Sequence, residues 1–535
     1  MKLNYKNTFY VGLIFFIISL YWQTYDMMIA RTMIDKFGLN QTWSGIVMAV
    51  DNIMAVILLP LFGALSDKSN AKKGRRTPYI IVGTILAALA FMALSFADYR
   101  QTLMIEKTDL VEGHYELAFG EGVESAERSH WYDVIDEMTL ERQLSLADGS
   151  LSGRKYQDWL NNIKQPMIEI LSQNGEYLNN RDLSMVKDYY YRYLSERAWE
   201  ETSQNPTNLI IFSSILFISL VSMAIFRSPA VALMPDVTIK PLRSKANAII
   251  TLMGAIGGML AIYFIMISGL NQSAYGYHGF VYLAVGLTML IILVLFLWKV
   301  DEPKLVKEKR LLDEKLGLLP PDPNTSTKQS LKKLTLDRRM SLYFMLASIF
   351  LLFMGYNAVM SKLADYLPKV LNLNYYDYQF IIAQGVLLIA IIPVGILSMK
   401  LGRKRTVQLG MLLMIIGMSF AVNLNEGQSW LTAGIVAIAG IGWTMIGINT
   451  YVMVVELSKG YDVGRYTGYY YAASMSAQII TPILSGYLMD IYGRLILFPY
   501  AAIFGSLAFV TFLWVKQGEA KKIKGGLLSV LEEVE

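Results

Sequence analysis

Apolar stretches of twenty or so residues recur twelve times along the chain, the length of helix that a hydrocarbon layer about 30 Å thick requires. They cover 8–32, 43–66, 77–98, 208–234, 245–269, 279–299, 341–361, 375–398, 406–424, 430–455, 467–489 and 495–515. The pattern predicts an all-α membrane protein with twelve transmembrane helices in two six-helix halves. Two polar segments interrupt it. Residues 300–340 form a charged central linker, with Pro320 and Pro321 as helix breakers. Residues 99–207 form an acidic insertion between the third and fourth stretches. In its later part (KYQDWLNNIKQPMIEILSQ and RDLSMVKDYYYRYLSERAWEE) apolar residues recur three and four apart, which predicts short amphipathic helices. The chain thus divides into 1–98, 99–207, 208–299, 300–340, 341–515 and a tail, 516–535. Lys2 and Lys6 precede the first stretch as in a signal peptide, but that stretch is too long and no small-residue cleavage site follows.

Charge orients the helices. Five short loops on one face, including the N-terminus, carry 16 Lys and Arg, among them Lys72, Lys73, Arg75, Arg76, Arg403 and Lys404. The opposite short loops carry 4: Lys36, Lys362, Lys369 and Arg494. The bias predicts that the first face is cytoplasmic, with both termini inside and the insertion outside, as in a multi-pass plasma-membrane protein. Residues 100–201 have a net charge of −9 and the remainder +14, so the basic excess sits in the short loops rather than on a folded nucleic-acid-binding surface. The composition agrees: 54% hydrophobic and only 17% charged, against about 25% charged in soluble domains. With no Cys and three His, disulfides, cysteine nucleophiles and cysteine-based or histidine-rich metal centres are not expected. No nucleophile–base set or phosphate-binding P-loop run is visible, so neither an enzyme nor ATP-driven transport is expected.

Ionisable residues inside the membrane are costly and are functional candidates by default. Asp26 in span one, Asp51 in span two and Arg227 in span four are the clearest. The two acids lie about equally far from the loop that joins their spans, so they should share a depth. Two carboxylates close together in a low dielectric hold a proton more readily, which suits a coupling site. Tyr21, Trp22, Tyr25 and Asp26 lie on one broad helical stripe, an aromatic platform beside a carboxylate that suits a sugar; an interfacial aromatic belt gives the same pattern. Tyr356, Asn357, Gln384, Trp443, Asn449, Tyr470, Ser474 and Gln478 are polar or aromatic positions in later spans. They either line a cavity or make helix–helix hydrogen bonds.

The two halves repeat each other. GALSDKSNAKKGRR (Gly63–Arg76) and GILSMKLGRK (Gly395–Lys404) follow spans two and eight, and both read G-x-L-S-x-K followed by G-R-basic. ALMPDVTIKPLRSKAN (Ala232–Asn247) and VVELSKGYDVGRYTG (Val454–Gly468) form a second pair, each with an acid seven to nine positions before a basic residue. Such duplication marks secondary transporters. The chain resembles the major facilitator superfamily through Gly63, Asp67, Gly74, Arg75 and Arg76. ALMPD, RSKAN and DEP (301–303) are similar to the sucrose–proton symporters and the glycoside–pentoside–hexuronide cation symporters. The resemblance spans the twelve stretches but not the insertion, and Met399 departs from it where the first half has Asp67. It implies that Asp67, Arg75 or Arg76, and Asp236 form an acid–base–acid latch at the cytoplasmic ends of spans two to four. Glu456 and Arg403 or Lys404 would be its counterpart in the second half.

These features together describe a secondary transporter that moves a sugar or glycoside by proton or sodium symport through alternating access. It would have no cofactor, a small-molecule substrate, the lipid bilayer as its surroundings and a monomeric state. Two other readings stay open: a proton-coupled exporter of apolar or drug-like solutes, and a membrane sensor that has lost transport.

Overall fold

The computed structural model describes residues 4–516 apart from 109, 121–122, 174, 240–242, 269–274, 316–335, 374–377 and 458–462. Twelve long helices make a bundle, numbered here as spans 1 to 12: Tyr5–Asp35, Gln41–Asp67, Thr77–Glu106, Thr207–Val237, Arg243–Ile267, Gly279–Lys299, Leu336–Val370, Tyr378–Leu401, Arg403–Ala421, Ser429–Glu456, Val463–Tyr492 and Leu497–Leu513. Among the described residues nine helices are long and apolar enough to cross a membrane. Span 8 offers a shorter apolar stretch, Ile381–Ile391, while span 9 opens on Arg403, Lys404 and Arg405 and span 11 is rich in Gly, Ser and Tyr. The described residues form no strand, only an isolated bridge between Glu127 and Tyr177.

Several helices outrun their apolar stretches. Span 7 continues to Val370, past Lys362, Asp365 and Lys369, because those polar side chains are buried in pairs rather than solvated. Part of the linker is also helical, Glu302–Lys315. Within the first half span 1 packs on span 5 and span 3 on span 4; within the second, span 7 packs on span 12 and span 9 on span 10. The halves meet chiefly where span 2 crosses span 11 and span 1 meets span 7. Gly45 and Gly486 make the first crossing possible. A Cβ on Gly45 would overlap the Pro482 carbonyl, and one on Gly486 the Gln41 carbonyl. This crossing lies at the end of the bundle that carries the insertion, called here the insertion face.

The insertion is a folded unit with a core of its own, built from Arg128–Ala147, Gly153–Trp159, Gln165–Leu171 and Asn180–Gln204 with Trp131, Ile135, Met138, Trp159, Tyr190 and Leu194 inside. Its last helix, at 25 residues, is longer than the short helices expected. Charge pairs around buried Arg142 and His114 lock the core. Arg142 meets Glu200 at 2.8 Å and Arg197 meets Glu141 at 2.6 Å, with His114 3.0 Å from Glu141. Burial works against ionising Glu141, but hydrogen bonds from His114 and Tyr193 and the charge of Arg197 hold its carboxyl down to about 2.

Candidate substrate and coupling site

Spans 1, 2 and 4 bring the three intramembrane charges together. Asp26, Asp51 and Arg227 lie within electrostatic reach of one another, and each is half-buried, so each retains accessible surface. Arg227 also faces Tyr471 of span 11, which sets the cluster on the first half where the second half approaches it. The Arg227 guanidinium lies 5.4 Å from the centre of the Trp22 ring, a cation–π contact that aims its charge. Asp51 accepts a hydrogen bond from Asn52 Nδ2 at 2.7 Å.

The aromatic stripe of span 1 divides. Tyr21 turns into the first half, where its hydroxyl meets Ser219 at 2.9 Å and its ring packs against Phe91. Tyr25 is buried and Trp22 half-buried, yet Tyr25 Oη and Trp22 Nε1 make no hydrogen bond among the described residues. Asn357 Nδ2 in span 7 is likewise buried and unpartnered. A buried donor without a partner costs about 1–3 kcal/mol. Three such donors fall on residues that the sequence singled out.

The remaining residues of the second half sort by geometry. Tyr356 stacks flat on Trp443, ring centres 3.6 Å apart, as a wall between spans 7 and 10. Tyr470 joins Tyr451 and Tyr471 in a ring cluster opposite Arg227. Gln384 lines a cavity of 330 Å³ with Ser19, Gln23 and Thr444, between spans 1, 5, 8 and 10. Asn449 is spent on structure, because it donates to the Met445 carbonyl and accepts from Ser398. Ser474 donates to the Tyr471 carbonyl at 3.3 Å, and Gln478 is half-buried in span 11.

At the insertion face a continuous chain of buried charges crosses between the halves. Asp35 of span 1 pairs with Lys369 of span 7, Lys369 with Asp365 at 2.6 Å, and Asp365 with Arg494 at 2.8 Å. Arg494 then reaches Asp188 of the insertion at 2.5 Å. Gln41 donates to Asp365 at 2.7 Å, and Lys362 donates to the Gln41 carbonyl at 2.9 Å. This face is closed.

Comparison with known proteins fits this architecture. Residues 21–400 match the model of the MFS_1 like family, and residues 371–528 match that of the Major Facilitator Superfamily. The chain belongs to the major facilitator superfamily. Solved structures share its fold at low identity. The inward-open xylose transporter XylE from E. coli is 14% identical over 98% of each chain, TM-score 0.55. A mutant of the nucleoside transporter NupG is 13% identical over 96% of this chain and 100% of that one, TM-score 0.56. A bacterial homologue of the iron transporter ferroportin, inward-facing, is 12% identical over 96% and 100%, TM-score 0.58.

The superfamily loop after span 2 does form an acid–base–acid chain. Arg76 pairs with Asp67 and with Asp236 at 2.9 Å, and Arg75 pairs with Asp236 at 2.8 Å. All these partners belong to the first half, so in this conformation the chain braces spans 2, 3 and 4 and does not tie the halves together. Sequence reasoning missed a further member, Glu302. It accepts from the backbone N–H of Arg76 at 3.0 Å and of Thr77 at 2.8 Å, and so caps the start of span 3. The second-half latch expected from Glu456 with Arg403 or Lys404 is left open, since the Glu456 side chain lies outside the described residues. The chain at the insertion face was also missed. Lys36, Lys362, Lys369 and Arg494 had counted only as stray loop charges, yet all four are buried, Lys36 against Asp98 at 2.5 Å.

Proposed function

We propose that the protein is a cation-coupled symporter of a sugar or glycoside, working by alternating access in the plasma membrane with the insertion outside and both termini inside. Asp26 and Asp51 take up the coupling proton or sodium ion, and Arg227 answers their charge when the site empties. Trp22, Tyr25 and Asn357 donate to the hydroxyls of the solute, and the Trp22 ring covers its C–H face. The observation that carries this reading is the half-buried Asp26–Asp51–Arg227 cluster facing the tyrosines of span 11, with the unpartnered donors of Trp22 and Tyr25 on the same helix as Asp26. A ligand rich in hydroxyls satisfies such donors, and a carboxylate pair supplies a charge that can be cancelled and restored in each cycle. The hydroxylated solutes named for XylE and NupG are of the same chemical kind.

The mechanism follows from the two ends of the bundle. With the insertion face shut by the Asp35–Lys369–Asp365–Arg494–Asp188 chain, solute and ion leave toward the basic-loop face. Reloading needs that chain to part, so its pairs exchange for water on each turn of the cycle. Uptake in proteoliposomes with an imposed pH or sodium gradient, across mono- and disaccharides, tests the proposal. Gradient-driven accumulation of a sugar supports it. Gradient-driven extrusion of apolar solutes with no sugar response overturns it.

A further inference from the structure

A cleft of 1010 Å³ runs between the helix Asn180–Gln204, the segment around Asn161–Pro166, the turn joining spans 1 and 2, and the ends of spans 2 and 11. None of the residues of the central cluster lines it. Two tryptophans open onto it, Trp43 at 58% exposure and Trp199 at 41%, large apolar rings left uncovered by the fold. The amides of Asn40, Gln41, Asn161 and Asn162 share the lining, Asn40 Oδ1 already accepting from the Trp43 N–H at 2.8 Å and Gln41 Nε2 donating to Asp365. Gln41 is buried, and its Oε1 accepts no hydrogen bond among the described residues.

The charges of the lining cancel: Arg192 and Arg494 against Glu196 and Asp490. Both cations are already engaged. Arg494 holds Asp365 and Asp188, while Arg192 holds Asp188 at 3.2 Å and the Met489 carbonyl at 3.1 Å. No cation is left over for a phosphate or a carboxylate, so the lining suits a neutral ligand. The Glu196 side chain is half exposed and lies 3.7 Å from Arg142, so it adds no free charge to the cleft. The wall is fixed. Gly38 has φ +72°, and a Cβ there would overlap the backbone of Ser195 and Trp199, so the insertion helix seats backbone to backbone on the turn.

We propose that this cleft is a second carbohydrate site, taking a neutral mono- or oligosaccharide at the insertion face. Flat indole rings cover the C–H surface of a sugar, and the exposed Asn161 and Asn162 amides with the unpartnered Gln41 Oε1 take its hydroxyls. The site reads both halves at once: Trp43 and Gln41 belong to the first, Asp490 and Ile491 to the second. A sugar bound there favours the closed insertion face. The inference shares its ligand class with the proposed function but rests on the cleft alone.

The test is saturation-transfer NMR and calorimetry on the full-length protein in nanodiscs, with glucose, galactose, xylose, maltose, sucrose and raffinose as probes. Trp22→Ala and Asn357→Ala variants remove proposed solute contacts of the central site, and Trp199→Ala and Asn162→Ala, both at exposed positions, alter the cleft. The expected result is a neutral sugar that still binds Trp22→Ala and Asn357→Ala, with affinity at least tenfold lower in Trp199→Ala and reduced in Asn162→Ala. Binding that disappears with Trp22→Ala and ignores both cleft variants overturns the proposal. So does the absence of any sugar signal in all of these proteins, or displacement of the sugar signal by phospholipid alone. Retained cleft binding beside failed sugar transport would sink the central-site reading and leave this one standing.

Discussion

Replacing Arg494 with Gln should open the insertion face. Arg494 makes two charge-assisted contacts in the closed bundle, 2.8 Å to Asp365 and 2.5 Å to Asp188, and all three side chains are at most 10% exposed. Each such bond is worth about 1.5–3 kcal/mol. Part of that loss is common to both conformations, since water replaces the partners once the halves separate. Counting only one bond as differential, the equilibrium moves roughly 10- to 150-fold toward the open insertion face. Asp188→Asn removes charge from one of the two Arg494 contacts, its other partner Arg192 lying on the same helix, and should shift it in the same direction by less. Spin labels at Lys107→Cys in the first half and Tyr492→Cys in the second report the separation, and no native Cys competes for the label. Both positions are exposed, so labelling leaves the packing intact. The distance distribution should gain a long component in Arg494→Gln. An unchanged distribution in a variant with wild-type thermal unfolding would refute the view that this chain is the gate.

Gly486→Val should abolish uptake while the protein still folds, because its branched side chain meets the Gln41 carbonyl where spans 2 and 11 cross; labelling at the insertion face should rise in the same variant. Glu141, held down to about 2 in the folded insertion, contributes stability above its unfolded value of about 4.3 and loses it as the pH falls toward 2. The melting temperature of the wild type should therefore drop over that window, and that of Glu141→Gln should drop less. Ser150→Cys, at an exposed turn of the insertion, should react with a membrane-impermeant thiol reagent on intact cells; reaction only after permeabilisation would reverse the assigned orientation.

Most of the helices were legible because a bilayer forces a spanning helix to be written as a largely apolar run; spans 8, 9 and 11 carry the weakest such signal. The ends of the helices were not legible. Lys362, Asp365 and Lys369 read as a loop by charge, whereas the fold hides them by pairing partners far apart in the chain, Asp35 and Arg494 among them. The i,i+4 pairs Arg31–Asp35, Asp188–Arg192 and Asp365–Lys369 were local traces of this network. Asp26, Asp51 and Arg227 stood out because an isolated charge in an apolar run has few structural excuses, and the fold gathers all three. Tyr21 and Asn449 show the limit of that logic. Helical spacing puts a residue on a stripe but does not say whether the stripe meets a cavity or a neighbouring helix, and both turned to neighbours. Gln23 was overlooked between Trp22 and Thr24, although an amide in the middle of a span is the same kind of signal that singled out Gln384.

Coupling is the central claim, and comparing net accumulation with exchange in Asp26→Asn tests it most directly. An amide keeps the shape of the site but cannot take up or release a proton, nor balance a sodium ion. In proteoliposomes holding the transported sugar, the account predicts that Asp26→Asn loses gradient-driven accumulation and keeps part of the exchange of labelled for unlabelled sugar, since exchange needs only the loaded carrier to reorient. Asp51→Asn should behave alike. Full accumulation against a gradient in both variants would contradict the account.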